Sequence, residues 1–87
     1  MNNLHVGLNA GEMITDQEGC ILVGNGTECY PFSHCIMIGQ GLKAAYDYHL
    51  RVGGIDRKMT VEEHELLHNT IKFTADSIIG IYEAKNP

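Results

Sequence analysis

Two periods divide the apolar positions of this chain. Up to residue 32 they come in short runs; from residue 33 they recur at helical spacing. Leu4, Val6 and Leu8 alternate with His5 and Gly7, the period of a half-buried strand. Met13-Ile14-Thr15 and Cys20-Ile21-Leu22-Val23 flank Asp16-Gln17-Glu18-Gly19, a segment with the composition of a hairpin turn. Gly24-Asn25-Gly26 is a second turn, and Glu28-Cys29-Tyr30 a last short strand. Residues 1–32 thus predict a small antiparallel meander.

Ser33 is positioned to cap a helix over residues 33–52. Its stripe would be Cys35, Ile38, Leu42, Ala45, His49 and Val52, with Lys43, Asp47 and Arg51 outside. Gly39 and Gly41 weaken its first turns, and Gly53-Gly54 ends it. A connector over 53–59 leads to the strongest helical signal, 60–84. Thr60 and Glu63 have the spacing of a capping box, and Glu62, Glu63 and Glu65 suit the positive end of the helix dipole. At about 100° per residue, Leu67, Ile71, Ala75, Ile78 and Tyr82 share one face, and Glu65, Lys72, Asp76 and Glu83 the opposite one. Leu66 and Phe73 form a second apolar strip, and Gly80 interrupts the interior.

The expected fold is therefore α+β: an N-terminal meander packed on a C-terminal antiparallel two-helix hairpin. In that hairpin Leu42 would face Ile71, Ile38 Ala75, Cys35 Ile78, and Tyr46 Leu67. The chain reads as one domain without internal repeats or low-complexity linkers. With 87 residues the core is thin, and a homo-oligomer, most simply a dimer, would complete it. Leu66 and Phe73, with Tyr82 at the margin, are the expected interface.

Charge narrows the partners. The net charge is −5, and residues 1–42 hold no Lys or Arg. That argues against nucleic acid, whose phosphates require clustered cations. Glu12, Asp16, Glu18 and Glu28 read first as a solubilising acidic surface. No run approaches bilayer-spanning length, and the N-terminus lacks the charged and apolar regions of a secretion signal. The expected location is the cytoplasm, with Cys20, Cys29 and Cys35 as reduced core thiols. A zinc site from Cys20, Cys29, His34 and Cys35 matches no common module spacing.

The one short motif with catalytic precedent is His64-Glu65-Leu66-Leu67-His68. HExxH places two histidines on one helix side, where they can ligate zinc with the glutamate as general base. It resembles the core motif of zinc peptidases over those five residues alone. The resemblance implies zinc as cofactor, His64 and His68 as ligands and Glu65 as base; the expected helix register would add His49 as third ligand. The family's further ligand motifs are missing. Ser33-His34-Cys35 sets a nucleophile beside a histidine in sequence only, since adjacent helix residues do not face each other.

Three functions follow. The favoured one is a non-enzymatic binding module without cofactor, acting as a homo-oligomer. Inhibitor, sequestering and accessory proteins of phages and mobile elements share this size and character. The alternatives are a small zinc-dependent hydrolase using Glu65, and an oligomeric small-ligand regulator whose site is lined by Tyr46, Tyr48, His49 and Tyr82.

Overall fold

A computed structural model of the chain describes residues 3–76. Five strands, β1 (Leu4–Val6), β2 (Ile21–Val23), β3 (Ile36–Ile38), β4 (His49–Val52) and β5 (Ile55–Lys58), precede one helix, α1 (Val61–Asp76). The strands form a single sheet in sequence order. β1 to β4 run parallel, and β4 and β5 close an antiparallel hairpin.

Parallel neighbours normally need a crossover, usually a helix. Here the chain returns to the start of each next strand through loops alone. It coils, laying one strand beside the last on every turn, as solenoid repeats do. The register keeps equivalent residues in columns. Leu4, Ile21, Ile36 and Leu50 form one, and Val6, Val23, Ile38 and Val52 another. Both columns face α1, where Leu67, Ile71 and Ala75 meet them. The opposite sheet face points into the coil, where Leu22 and Met37 pack with Cys20, Cys29 and Cys35, and Ile14, Phe32, Leu42 and Ala44 border them.

The corners are also repeated. Gly7, Gly24 and Gly39 follow β1, β2 and β3, all with positive φ. Ala10 N–H and Thr27 N–H bond back to the Gly7 and Gly24 carbonyls. Positive φ at Asn9 and Gly26, one residue before those donors, gives the pattern of a type II turn. Successive corners interlock: Gly26 N–H reaches Leu8 O at 2.9 Å and Gly41 N–H reaches Asn25 O at 2.8 Å.

This architecture corrects the expected one. The sheet is mostly parallel, so there is no antiparallel meander, and the helix expected over 33–52 is β3, a glycine corner and β4. Its apolar spacing is helical by coincidence. His34, Gly39, Gly41 and Tyr48 all have positive φ, which a right-handed helix excludes. Among the described residues there is no helical hairpin, and the predicted Leu42–Ile71 pair is not formed: Leu42 borders the coil interior, whereas Ile71 packs on the helix-side face. The 53–59 connector contains β5, with Gly53-Gly54 as the hairpin turn. Residues 13–15, expected to pair with 20–23 as a hairpin, form no strand. The chain also has an internal repeat: Ile21-Leu22-Val23-Gly24-Asn25-Gly26 and Ile36-Met37-Ile38-Gly39-Gln40-Gly41 occupy the same places in successive coils.

The second helix stands over Val61–Asp76, with its predicted face towards the sheet. Thr60 caps it, its Oγ1 accepting from Glu63 N–H at 3.0 Å. The Glu63 carboxylate does not complete the capping box. It takes both terminal nitrogens of Arg57, at 2.7 and 2.6 Å, and so fastens α1 to β5. Ile78, Gly80, Tyr82, Glu83 and Lys85 lie outside the described residues. No helix among those described is long and apolar enough to cross a membrane.

Candidate functional site

Two residues before the β2, β3 and β4 members of the buried column come Gly19, His34 and Tyr48. These three form a column of their own at the coil corner, each left-handed, with φ of 71°, 62° and 64°. His34 N–H donates to Glu18 O at 2.8 Å, and Tyr48 N–H to Ser33 O at 3.2 Å, which keeps the corners in step. Left-handed backbone costs an L-residue about 1–2 kcal/mol. Glycine accepts it freely; histidine and tyrosine do so against that cost. Non-glycine residues held this way concentrate at functional sites.

The column's side chains build one wall of a cleft. The rings of His34 and Tyr48 stack at 4.8 Å, parallel within 8°. His64, from the first turns of α1, stands edge-on to both, at 5.2 Å from His34 and 5.4 Å from Tyr48. His68, one helical turn on, lies 5.2 Å from His64. Gly19 makes this possible. A Cβ there would fall 2.8 Å from the His34 ring and 3.2 Å from that of His64. Its carbonyl accepts a hydrogen bond from His64 Nε2 at 2.7 Å. That bond fixes the proton on Nε2 and leaves Nδ1 with its lone pair in the neutral ring. Burial, with His68 and His34 nearby, lowers the His64 pKa below its ordinary value against the pull of the Gly19 carbonyl.

Glu18, Gly19, His34, Tyr48, Val61, His64, Glu65 and His68 enclose a cleft of about 260 Å³. It combines a flat aromatic wall, imidazole nitrogens and two carboxylates. Such a site can accept hydrogen bonds and protons and stack against a planar group. Two further grooves run along α1. One, between Thr70, Ile71, Thr74 and Ala75 and the first strands, is apolar; the other has the Arg57–Glu63 pair at its rim.

The residues singled out in sequence divide between places. His64, Glu65 and His68 all line the cleft. His49 is elsewhere. Buried at the start of β4, its Nδ1 accepts Ala45 N–H at 3.0 Å and its Nε2 donates to Asp56 Oδ1 at 2.6 Å. The contact with Asp56 is a short hydrogen bond. It holds the exposed Asp56 carboxyl below the usual range. Tyr46 stacks on His49 at 4.2 Å, away from Tyr48, and Tyr82 is outside the described residues. Of the expected ligand-binding residues that are described, Tyr46 and His49 are together and Tyr48 stands in the cleft. The proposed Cys20, Cys29, His34 and Cys35 set is also split, the thiols inside the coil and His34 in the cleft. Among the described residues, no group of three His, Cys, Asp or Glu side chains is placed to hold a metal ion. Leu66 and Phe73 are 68% and 76% exposed.

His34 and Glu18 were not singled out for this site. The signal for His34 was the coil repeat, which aligns it with Gly19 and Tyr48. No family profile, curated protein or solved structure matches the chain. Over the described residues, fold and cleft define a class alone: a short parallel β-coil, backed by α1, with an imidazole-lined cleft where helix and coil meet.

Proposed function

We propose that the protein is a non-enzymatic binding module that works as a homo-oligomer, pairing through the outer face of α1. One observation carries this reading. Leu66 and Phe73, two helical turns apart, share a face and are among the most exposed large apolar residues described, while Leu67, Ile71 and Ala75 cover the sheet behind them. The competing monomer arrangement needs the sheet to bury Leu66 and Phe73, and the sheet lies against the other side of the helix. A second copy about a two-fold axis would cover both residues with the same pair. An acidic, self-associating module of this kind suits an inhibitor, sequestering or accessory protein. Sedimentation at micromolar concentration is expected to give at least twice the 9.6 kDa chain mass. Phe73→Glu, by placing an unpaired charge in the contact, is expected to return the species to monomer. A wild-type monomer across the accessible range would overturn the reading.

The cleft favours a second reading, a small-ligand regulator. Its support is the pair of strained aromatic residues, His34 and Tyr48, held stacked beside two imidazoles. The ligand would be planar and carry hydrogen-bond donors for Glu18, Glu65 and the free imidazole nitrogen of His64. Mass spectrometry of protein purified from its native host and then denatured is expected to release such a molecule stoichiometrically. Release of an equal amount from Tyr48→Ala would count against this site.

A further inference from the structure

Cys20, Cys29 and Cys35 come from separate stretches of chain and meet inside the coil, each 0% exposed. Pairing of Ile21 with Ile36 makes Cys20 and Cys35 neighbours in one column. Cys29 approaches from the opposite wall, its Sγ 2.9 Å from that of Cys20. A disulfide requires about 2.05 Å between sulfurs, so the pair needs only a shift of about 0.9 Å to bond. Cys35 Sγ instead faces the Tyr46 and Ser33 carbonyls, at 3.3 and 3.6 Å.

The thiols are not equivalent. Cys29 donates to Cys20, which lowers the Cys20 pKa despite burial; that bond, with burial, raises the Cys29 pKa, and closeness to Cys20, with burial, raises that of Cys35. A proton lost from the cluster therefore leaves Cys20. A second group attends it. His5 points inward at the first coil, within electrostatic reach of Cys20, and its buried Nε2 has no hydrogen-bond partner. Burial lowers its pKa against the opposing pull of Cys20 and Glu28. Gly11 makes its space, since a Cβ there would stand 2.6 Å from the ring.

We propose that the coil interior is a redox-active dithiol site, in which Cys20 and Cys29 convert between two thiols and a disulfide with a small hydroperoxide as oxidant. The Cys20 thiolate attacks the terminal peroxide oxygen. An S–O bond forms, the O–O bond breaks, and the departing alkoxide or hydroxide takes up the proton that Cys20 gave up. Cys29 sulfur then attacks Cys20 sulfur. The S–S bond forms, the S–O bond breaks, and hydroxide leaves as water with the Cys29 proton. The two thiols lose two electrons, which reduce the peroxide to an alcohol (or water) and one water. Burial sets the rate, because the oxidant enters through local opening of the coil. Cys20 follows Gly19, whose carbonyl grips His64, so the crosslink anchors the cleft corner to the far wall of its own coil.

The test uses the folded, full-length protein and hydrogen peroxide, followed by denaturation, alkylation without reductant, and intact mass. The expected product is lighter by about 2 Da before alkylation and takes one alkyl group where untreated protein takes three. Dithiothreitol is expected to restore all three. Cys35→Ser is expected to keep the mass loss and Cys20→Ser to abolish it. Three alkylatable thiols after treatment, stepwise oxygen addition without loss of hydrogen, or an unchanged mass loss in Cys20→Ser would each overturn the proposal.

Discussion

The coil makes its sharpest prediction at Gly24. This residue follows β2 with φ of +132°, and a Cβ added to it would lie well inside 3.0 Å of the Gly39 carbonyl in the next coil. The obstacle is backbone, which cannot rotate away as a side chain does. Two costs follow from Gly24→Ala. Forcing an L-residue into this region costs about 1–3 kcal/mol. Separating two packed coils compares with overpacking a core, a further 1–3 kcal/mol or so. Moving the Gly39 carbonyl also disturbs the bond it accepts from the buried Thr27 hydroxyl. The expected loss is about 2–6 kcal/mol, a large part of the roughly 4–13 kcal/mol that about 0.05–0.15 kcal/mol per residue gives a chain of 87 residues.

Two other glycines separate these contributions. Gly26 has φ of +71°, but a Cβ there meets nothing within 4 Å, so Gly26→Ala carries backbone strain alone, about 1–2 kcal/mol. Gly54 has neither positive φ nor a neighbour, and Gly54→Ala should stay within about 0.5 kcal/mol of wild type. All three substitutions reduce unfolded-chain freedom alike, so that effect cancels between them. Urea denaturation gives the three values. If Gly24→Ala falls within about 1 kcal/mol of Gly26→Ala, the coils do not stack as described.

Burial holds His64 below its ordinary pKa, so the unfolded chain binds that proton more readily. The resulting stability is complete above about pH 6.5 and is lost as pH falls through the lowered folded value; the melting temperature should drop from pH 7 to pH 5, less steeply in His64→Gln, and equal slopes would refute the assignment. At His34, replacement by glycine relieves about 1–2 kcal/mol of left-handed strain but loses a ring stack of about 0.5–1.5 kcal/mol. His34→Gly should therefore lie within about 1 kcal/mol of wild type in urea, and a loss above about 2 kcal/mol would make the ring a structural support.

Parts of this molecule were legible in its sequence for identifiable reasons. The phase of α1 was, because Leu67, Ile71 and Ala75 carry a long 3.6-residue period and Thr60 supplies a cap. Short inner strands were harder. A three-residue strand buried on both faces, such as Ile36–Ile38, offers no alternation to read, and the glycines after it read equally as weak helix turns. The signal that separates the readings was the likeness of Ile36–Gly41 to Ile21–Gly26, since a weak helix start has no reason to copy a strand and its turn. The cleft was half legible. HELLH marks the helix wall, but no residue type announces that a histidine and a tyrosine will adopt the conformation of the glycine one coil earlier.

Columns explain why the site and the thiol cluster both draw on residues distant in sequence. In a helix, neighbours on a face lie three or four residues apart, and His64 and His68 meet by that rule. In a coil, neighbours lie one full turn apart, and turns here differ in length because loops absorb the difference. Cys20 and Cys35, or Gly19, His34 and Tyr48, become adjacent through strand register rather than a fixed spacing. That register was decided by the column of Leu4, Ile21, Ile36 and Leu50, whose burial against α1 fixes β1 to β4 in place. A slip of one residue at β3 would turn Ile36 inward, carry Cys35 out of the thiol cluster and remove His34 from the cleft together. The hydrophobic core therefore specifies the chemistry: the same contacts that seat the helix decide which polar side chains meet at its edge and which thiols meet beneath it.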